Sequence, residues 1–152
     1  MKVTGSAHLP FPPERAYDLM QDASALAGAI PGCNSLELTG ENEYKLNLKM
    51  VLASLSGHFE GKVTLADHDR PKSFRMLVEG SGKIGFVKGE GVLTLTEEDE
   101  GTKVAYDGEA QIGGSIASVG QRMVDTTSKL LVKRFFKKLS KIGNGAGDSE
   151  ED

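Results

Sequence analysis

Between residues 34 and 112 the sequence offers alternating runs separated by turn signals, and a single long helix follows. That combination restricts the fold more than any other feature. Tyr44, Leu46, Leu48 and Met50 share one face of a strand, opposite Lys45, Asn47 and Lys49. Phe59, Gly61, Val63 and Leu65 repeat the pattern, as do Phe74, Met76 and Val78, a strand over 85–95, and Val104, Tyr106, Gly108, Ala110 and Ile112. Alternation of this kind describes strands with one buried face. Turn signals stand at residues 40–43, 54–57, 69–72, 80–82 and 97–101, so the strands form an antiparallel meander. Residues 1–9 read as a first strand. Pro13 opens a short helix over 14–20, and a second short helix covers 22–27.

The buried face needs a cover, and only the last helix is long enough. Its pattern runs over 115–142, preceded by Gly113-Gly114 and ended by Gly143-Asn144-Gly145. At 1.5 Å per residue it is roughly 40 Å long. Ile116, Val119, Gly120, Met123, Val124, Thr127, Leu130 and Leu131 fall in one arc, which the sheet is expected to hold. Val132, Phe135, Phe136 and Leu139 point elsewhere, as if the helix end leaves the sheet for a second contact. The expected architecture is α+β: about seven antiparallel strands curved around a long C-terminal helix, with two short helices after the first strand. A curved sheet diverges from a straight helix, and the space between them suits an apolar ligand.

Composition narrows the function. A chain of 152 residues with 38% hydrophobic and 26% charged residues supports one globular domain, placed at residues 1–142. Residues 143–152 read as a flexible acidic tail. No apolar run approaches the length of a membrane span, and the first residues lack the apolar core of a signal peptide. With the single Cys33, these features suggest a cytoplasmic protein. Net charge is −4, and of the 22 acids four lie in Asp148-Ser149-Glu150-Glu151-Asp152; the others balance the 18 bases. The last helix is basic, with Lys133, Arg134, Lys137 and Lys138 around Phe135 and Phe136. Those six residues are candidates for contact with an anionic membrane surface or a partner. Solvation and complementation of the helix dipole explain the same charges. No reading helix or stacking motif accompanies them, which argues against nucleic acid.

Catalytic and metal chemistry has little support. His8, His58 and His68 lack neighbours at metal-ligand spacing. Cys33 has no local basic partner and reads as a small apolar residue. Gly80-Ser81-Gly82-Lys83 resembles part of a phosphate loop, but Leu77 occupies the position of the first glycine and no helix follows. These glycines fit bends in a curved sheet better. Trp is absent, aromatics make up 6%, and the five methionines supply adaptable lining, which favours a pocket over a filled core.

Four motifs in order carry a resemblance over residues 1–139: Ile30-Pro31-Gly32-Cys33; Gly85-Phe86-Val87-Lys88-Gly89 with Gly91 and Leu93; Gly101-Thr102 followed by Tyr106; and Gly113-Gly114-Ser115-Ile116-Ala117-Ser118-Val119-Gly120-Gln121-Arg122 leading to Phe135-Phe136. The sequence resembles the CoxG family of carbon monoxide dehydrogenase subunits. That family belongs to the helix-grip superfamily with the START lipid-transfer and plant Bet v allergen domains. Tyr17 stands where the family often has Trp, a conservative change. The resemblance implies a non-catalytic accessory protein without a cofactor of its own. It would bind a quinone or lipid and help dock a molybdenum hydroxylase of the carbon monoxide dehydrogenase type, peripherally, at the inner face of the membrane. Expected ligand contacts are Met20, Ile30, Leu48, Phe59, Met76, Phe86, Tyr106, Val119, Met123 and Thr127. An enzyme of cyclase or hydratase type on the same fold, and a docking adaptor with a filled core, remain as alternatives.

Overall fold

The computed structural model describes residues 1–52 and 54–145. Seven strands, β1 (Lys2–Leu9), β2 (Cys33–Gly40), β3 (Glu43–Leu52), β4 (Leu55–Asp69), β5 (Ser73–Gly82), β6 (Gly85–Glu98) and β7 (Gly101–Gly113), form one antiparallel sheet. Their spatial order is β1-β7-β6-β5-β4-β3-β2. Everything after β2 pairs with its chain neighbour, as the meander requires. The first strand closes onto the last, so β1 and β2 become the two edges.

Two short helices bridge those edges. Helix α1 (Pro13–Leu19) starts on a proline whose missing N–H costs nothing at that position. Helix α2 (Ala23–Ala29) is capped by Asp22, whose Oδ1 accepts from the backbone N–H groups of Ser24 and Ala25 at 2.8 and 3.2 Å. Arg70, in the turn between β4 and β5, donates to both carboxylate oxygens of Asp18 at 2.8 and 2.9 Å. This bidentate pair holds the Asp18 carboxyl below its usual range.

The inward faces of the strands carry a belt without side chains. Gly61 faces Gly80, Gly89 faces Ala110, and Gly91 faces Gly108. A Cβ on Gly108 would stand 2.5 Å from the carbonyl oxygen of Glu90, and one on Gly89 would stand 2.8 Å from that of Glu109. The sheet coils so tightly here that inward side chains would strike the neighbouring backbone. Large apolar residues return on either side of the belt.

The last helix differs from its sequence reading in two respects. It is not continuous over 115–142. A 3-10 turn (Ser115–Val119) is separated from α3 (Gln121–Gly143) by Gly120, whose φ of +102° breaks the helical path. Its apolar face is also set differently. Leu131, Val132, Phe135, Phe136, Leu139 and Ile142 form one inward stripe, Val124 packs in a separate cluster two turns earlier, and Met123 and Leu130 are 42% and 44% exposed. The helix end therefore does not leave the core. Leu139 is fully buried, and Gly143 lies so close to Phe11 that a Cβ would collide with the ring. Arg15 closes this end, donating from Nε and a terminal nitrogen to the Gly143 carbonyl at 3.0 and 2.7 Å. Gly143, placed in the tail by the sequence reading, belongs to α3. Asn144 and Gly145 form a turn, and residues 146–152 lie outside the described residues.

Two apolar clusters result. The larger joins α1, α2, the second half of α3 and the Tyr44, Leu65, Phe74, Leu93 and Val104 rows of the sheet. The smaller joins Leu52, Phe59, Ile116 and Val124 at the opposite end. Because the helix is held through its C-terminal half, Leu139→Ala should lower unfolding free energy by about 2–5 kcal/mol. Leu130→Ala should cost about 1 kcal/mol or less. Urea denaturation of both variants measures the contrast; equal losses would place the anchor elsewhere.

Candidate functional site

Between the two clusters lies a cavity of about 460 Å³, within the size range of small-molecule sites. Its walls come from every layer of the fold. Met20 and Leu26 enter from the short helices, and Ile30 and Pro31 from the loop that follows. Strands β3, β4 and β5 supply Leu46, Leu48, Phe59, Val63 and Met76. The glycine belt of β5, β6 and β7 forms the back wall. Leu131, Val132, Phe135 and Phe136 of α3 close the front.

The lining is almost wholly apolar. Glu79, Glu90, Asp107 and Glu109 border it, but they are exposed residues at outward positions of their strands. They border it as backbone beside glycine or alanine. Among the described residues, two tyrosines, Tyr44 and Tyr106, line the wall. The Tyr44 hydroxyl donates to the Gln21 carbonyl. Burial, with the charge of Asp22 adding to it, pushes its pKa up, so it stays a protonated donor. The Tyr106 hydroxyl makes no hydrogen bond among the described residues. Its ring lies against Phe136, centroids 6.1 Å apart and planes at 16°. The hydroxyl lies over Gly5 of β1, where an added Cβ would come within 2.5 Å of it, on the side of the ring toward that strand.

Six of the ten expected ligand contacts line this space: Met20, Ile30, Leu48, Phe59, Met76 and Tyr106. The other four stand elsewhere. Phe86 is 47% exposed on the convex side of the sheet, because Val87, Gly89 and Gly91 take the inward positions of β6. Met123 is exposed through the phase of α3. Val119 packs in the smaller cluster, and Thr127 is half-buried outside the lining. Of the six expected surface contacts, Lys133, Arg134, Lys137 and Lys138 are exposed, whereas Phe135 and Phe136 turn inward and line the cavity. The α3 wall residues absent from the expected contacts had a signal: Leu131, Val132, Phe135 and Phe136 recur at helical spacing.

Cys33 donates a weak bond to the Ser35 carbonyl at 3.4 Å, and burial pushes its thiol pKa up, away from a reactive thiolate. Among the described residues no group of three or more His, Cys, Asp or Glu is placed to hold a metal ion.

The sequence model of the carbon monoxide dehydrogenase CoxG subunit matches residues 5–142. The chain belongs to the CoxG family. A conserved protein from Geobacillus kaustophilus superposes with a TM-score of 0.91 at 37% identity, covering 96% of this chain and 97% of that one. A START superfamily protein from Mycobacterium smegmatis gives 0.71 at 12% identity, with 95% and 97% covered. The Zhui aromatase/cyclase from Streptomyces sp. R1128 gives 0.66 at 11%, with 95% and 93% covered. The last two likenesses show the helix-grip fold alone. Comparison with curated protein sequences returns no significant match.

The glycine belt allows the cavity to be tested directly. A Cβ on Gly80 would meet its neighbours at 3.6 Å or more, an ordinary contact, so Gly80→Leu should fill the cavity without disturbing the sheet. Binding of an environment-sensitive naphthalene dye should fall at least about tenfold while the melting temperature is kept. Gly108→Ala should instead destabilise by about 1–3 kcal/mol, as forced overpacking does.

Proposed function

We propose that this CoxG-family protein is a non-catalytic carrier of a hydrophobic molecule, a quinone or a lipid. We propose further that it serves a molybdenum hydroxylase of the carbon monoxide dehydrogenase type at the membrane surface. The observation that carries the reading is the apolar cavity between sheet and helix, walled by both clusters. Each Å² of apolar ligand surface removed from water contributes about 25 cal/mol.

The absence of an acid–base pair in the wall, among the described residues, supports a carrier over a cyclase or hydratase, which needs positioned proton donors and acceptors. The cavity itself weighs against an adaptor with a filled core. No helix among the described residues is long and apolar enough to cross a membrane. Contact with a bilayer therefore falls to surface groups, and Arg134 and Lys138, exposed on the flank of α3 that carries Leu130, suit anionic headgroups. Each such charge near an anionic leaflet contributes about 1 kcal/mol.

Native mass spectrometry of protein purified without detergent tests the carrier role. The expected result is an added mass, released on denaturation, that is a quinone or lipid, and that Gly80→Leu lacks. A protein that comes out empty and takes up neither menaquinone nor phospholipid when these are added would sink the proposal.

A further inference from the structure

A second concavity lies on the other flank of α3, against the outer edge of the sheet. It is a groove of about 590 Å³ between the helix and β1. Lys129, Lys133, Lys137 and Lys141 line its helix side, and Ser6 and His8 line its strand side. No carboxylate lines it among the described residues. Among the described residues only Lys129 of the four is paired, with Asp125 at 3.8 Å. A run of ammonium groups along a trough costs mutual repulsion that an anionic occupant would relieve.

The spacing selects the occupant. Lysines four residues apart advance about 6 Å per step along a helix. Side chains on one face of an extended polypeptide recur about every 6.6 Å, twice the rise of a strand residue. An extended segment with carboxylates at alternate positions therefore keeps axial step with the four lysines, and the turn of about 40° per step along the helix is taken up by the long lysine side chains. Across the groove stands β1, the last strand of the sheet, with no strand beside its outer edge among the described residues. Edge backbone of this kind pairs readily with an extended chain.

We infer that this groove receives an extended acidic segment of a partner protein, with Asp or Glu at alternate positions facing Lys129, Lys133, Lys137 and Lys141. The inference gives contact chemistry to the docking role proposed above and rests on that reading, while ligand uptake in the cavity is independent of it. A planar lipid surface fits less well, because the ammonium groups border a recess. Single-stranded nucleic acid fits less well because Tyr106 and Phe136, the aromatic rings in the groove, are stacked on each other. Apart from its acidic C-terminal end, the chain is also neutral.

Fluorescence anisotropy with the full chain tests it. The probes are an alternating Glu-Thr peptide and a peptide of the same composition with its glutamates in one block. The alternating peptide should bind more tightly than the block. Lys133→Glu with Lys137→Glu should weaken it at least about tenfold, the size expected for reversing close charges at an interface. Arg134→Glu with Lys138→Glu changes net charge equally on the other flank and should weaken it less than about threefold, as screened charges do. The pair Lys133→Gln with Lys137→Gln gives an intermediate loss, and circular dichroism confirms that each variant is folded. The inference is overturned if no variant distinguishes the two flanks, or if the block peptide binds equally well. It is also overturned if a single-stranded oligonucleotide or anionic vesicles depend on Lys133 and Lys137 while the peptide does not. Peptide binding that requires neutralising Asp148, Glu150, Glu151 and Asp152 would name the chain's own end as occupant and overturn it too. Cavity loading measured by native mass spectrometry on the same variants separates failure of this inference from failure of the carrier proposal.

Discussion

The approach of backbone to backbone at Gly91 and Gly108 is the contact on which the structure depends. Across β6 and β7 these residues face each other, and side chains there would run into the opposing carbonyls. Without them the sheet can coil around a helix instead of lying flat beneath it. The same absence of side chains leaves the hollow. Curvature and cavity have one cause, so a protein of this fold cannot fill the space at the back wall by ordinary substitution without first unbending the sheet. Gly80, at the margin of the belt, is the exception because its surroundings are less crowded.

Helix α3 divides the molecule into two environments. Phe136, Val132 and Tyr106 border both the cavity and the groove along β1. One side of that aromatic partition is apolar and built from the core; the other is lined with lysines. The partition is firm because the helix is fixed at its far end by Leu139, by Gly143 against Phe11 and by the two bonds from Arg15. A single helix thus carries the front wall of one site and the basic wall of the other, and the fixing of its C-terminal half sets both.

Much of this could be read from the sequence. Alternation placed the inward faces of β3, β4, β5 and β7 correctly, and with them most of the cavity wall, because strand period two leaves little freedom once one face is buried. The phase of the last helix was harder. Met123 and Leu130 are large and apolar, and hydrophobicity alone put them in the expected arc with Val124 and Leu131, while Val132, Phe135, Phe136 and Leu139 were left outside it. Local pattern cannot tell a helix pressed on a sheet along its length from one held at one end over a void. Nor could it show that Gly120 interrupts the helix, since a lone glycine fits a helical pattern at modest cost. Phe86 was misplaced by weighing its aromatic ring above the alternation of β6. The six residues that did reach the cavity combined apolar character with the right strand or cap position.

The unequal size of the two clusters bears on how the molecule breathes. Among the described residues, seventeen buried ones hold the end with α1, α2 and the close of α3, against four at the end with Leu52, Phe59 and the start of α3. Gly120 adds no restraint there, for a side chain at that position would touch nothing. Local opening follows the smallest number of buried contacts. Amide protons in the first turns of α3 therefore exchange with solvent sooner than those near Leu139, and the cavity is exposed without unfolding the large cluster. Such an arrangement lets one end of the molecule retain the fold while the other opens.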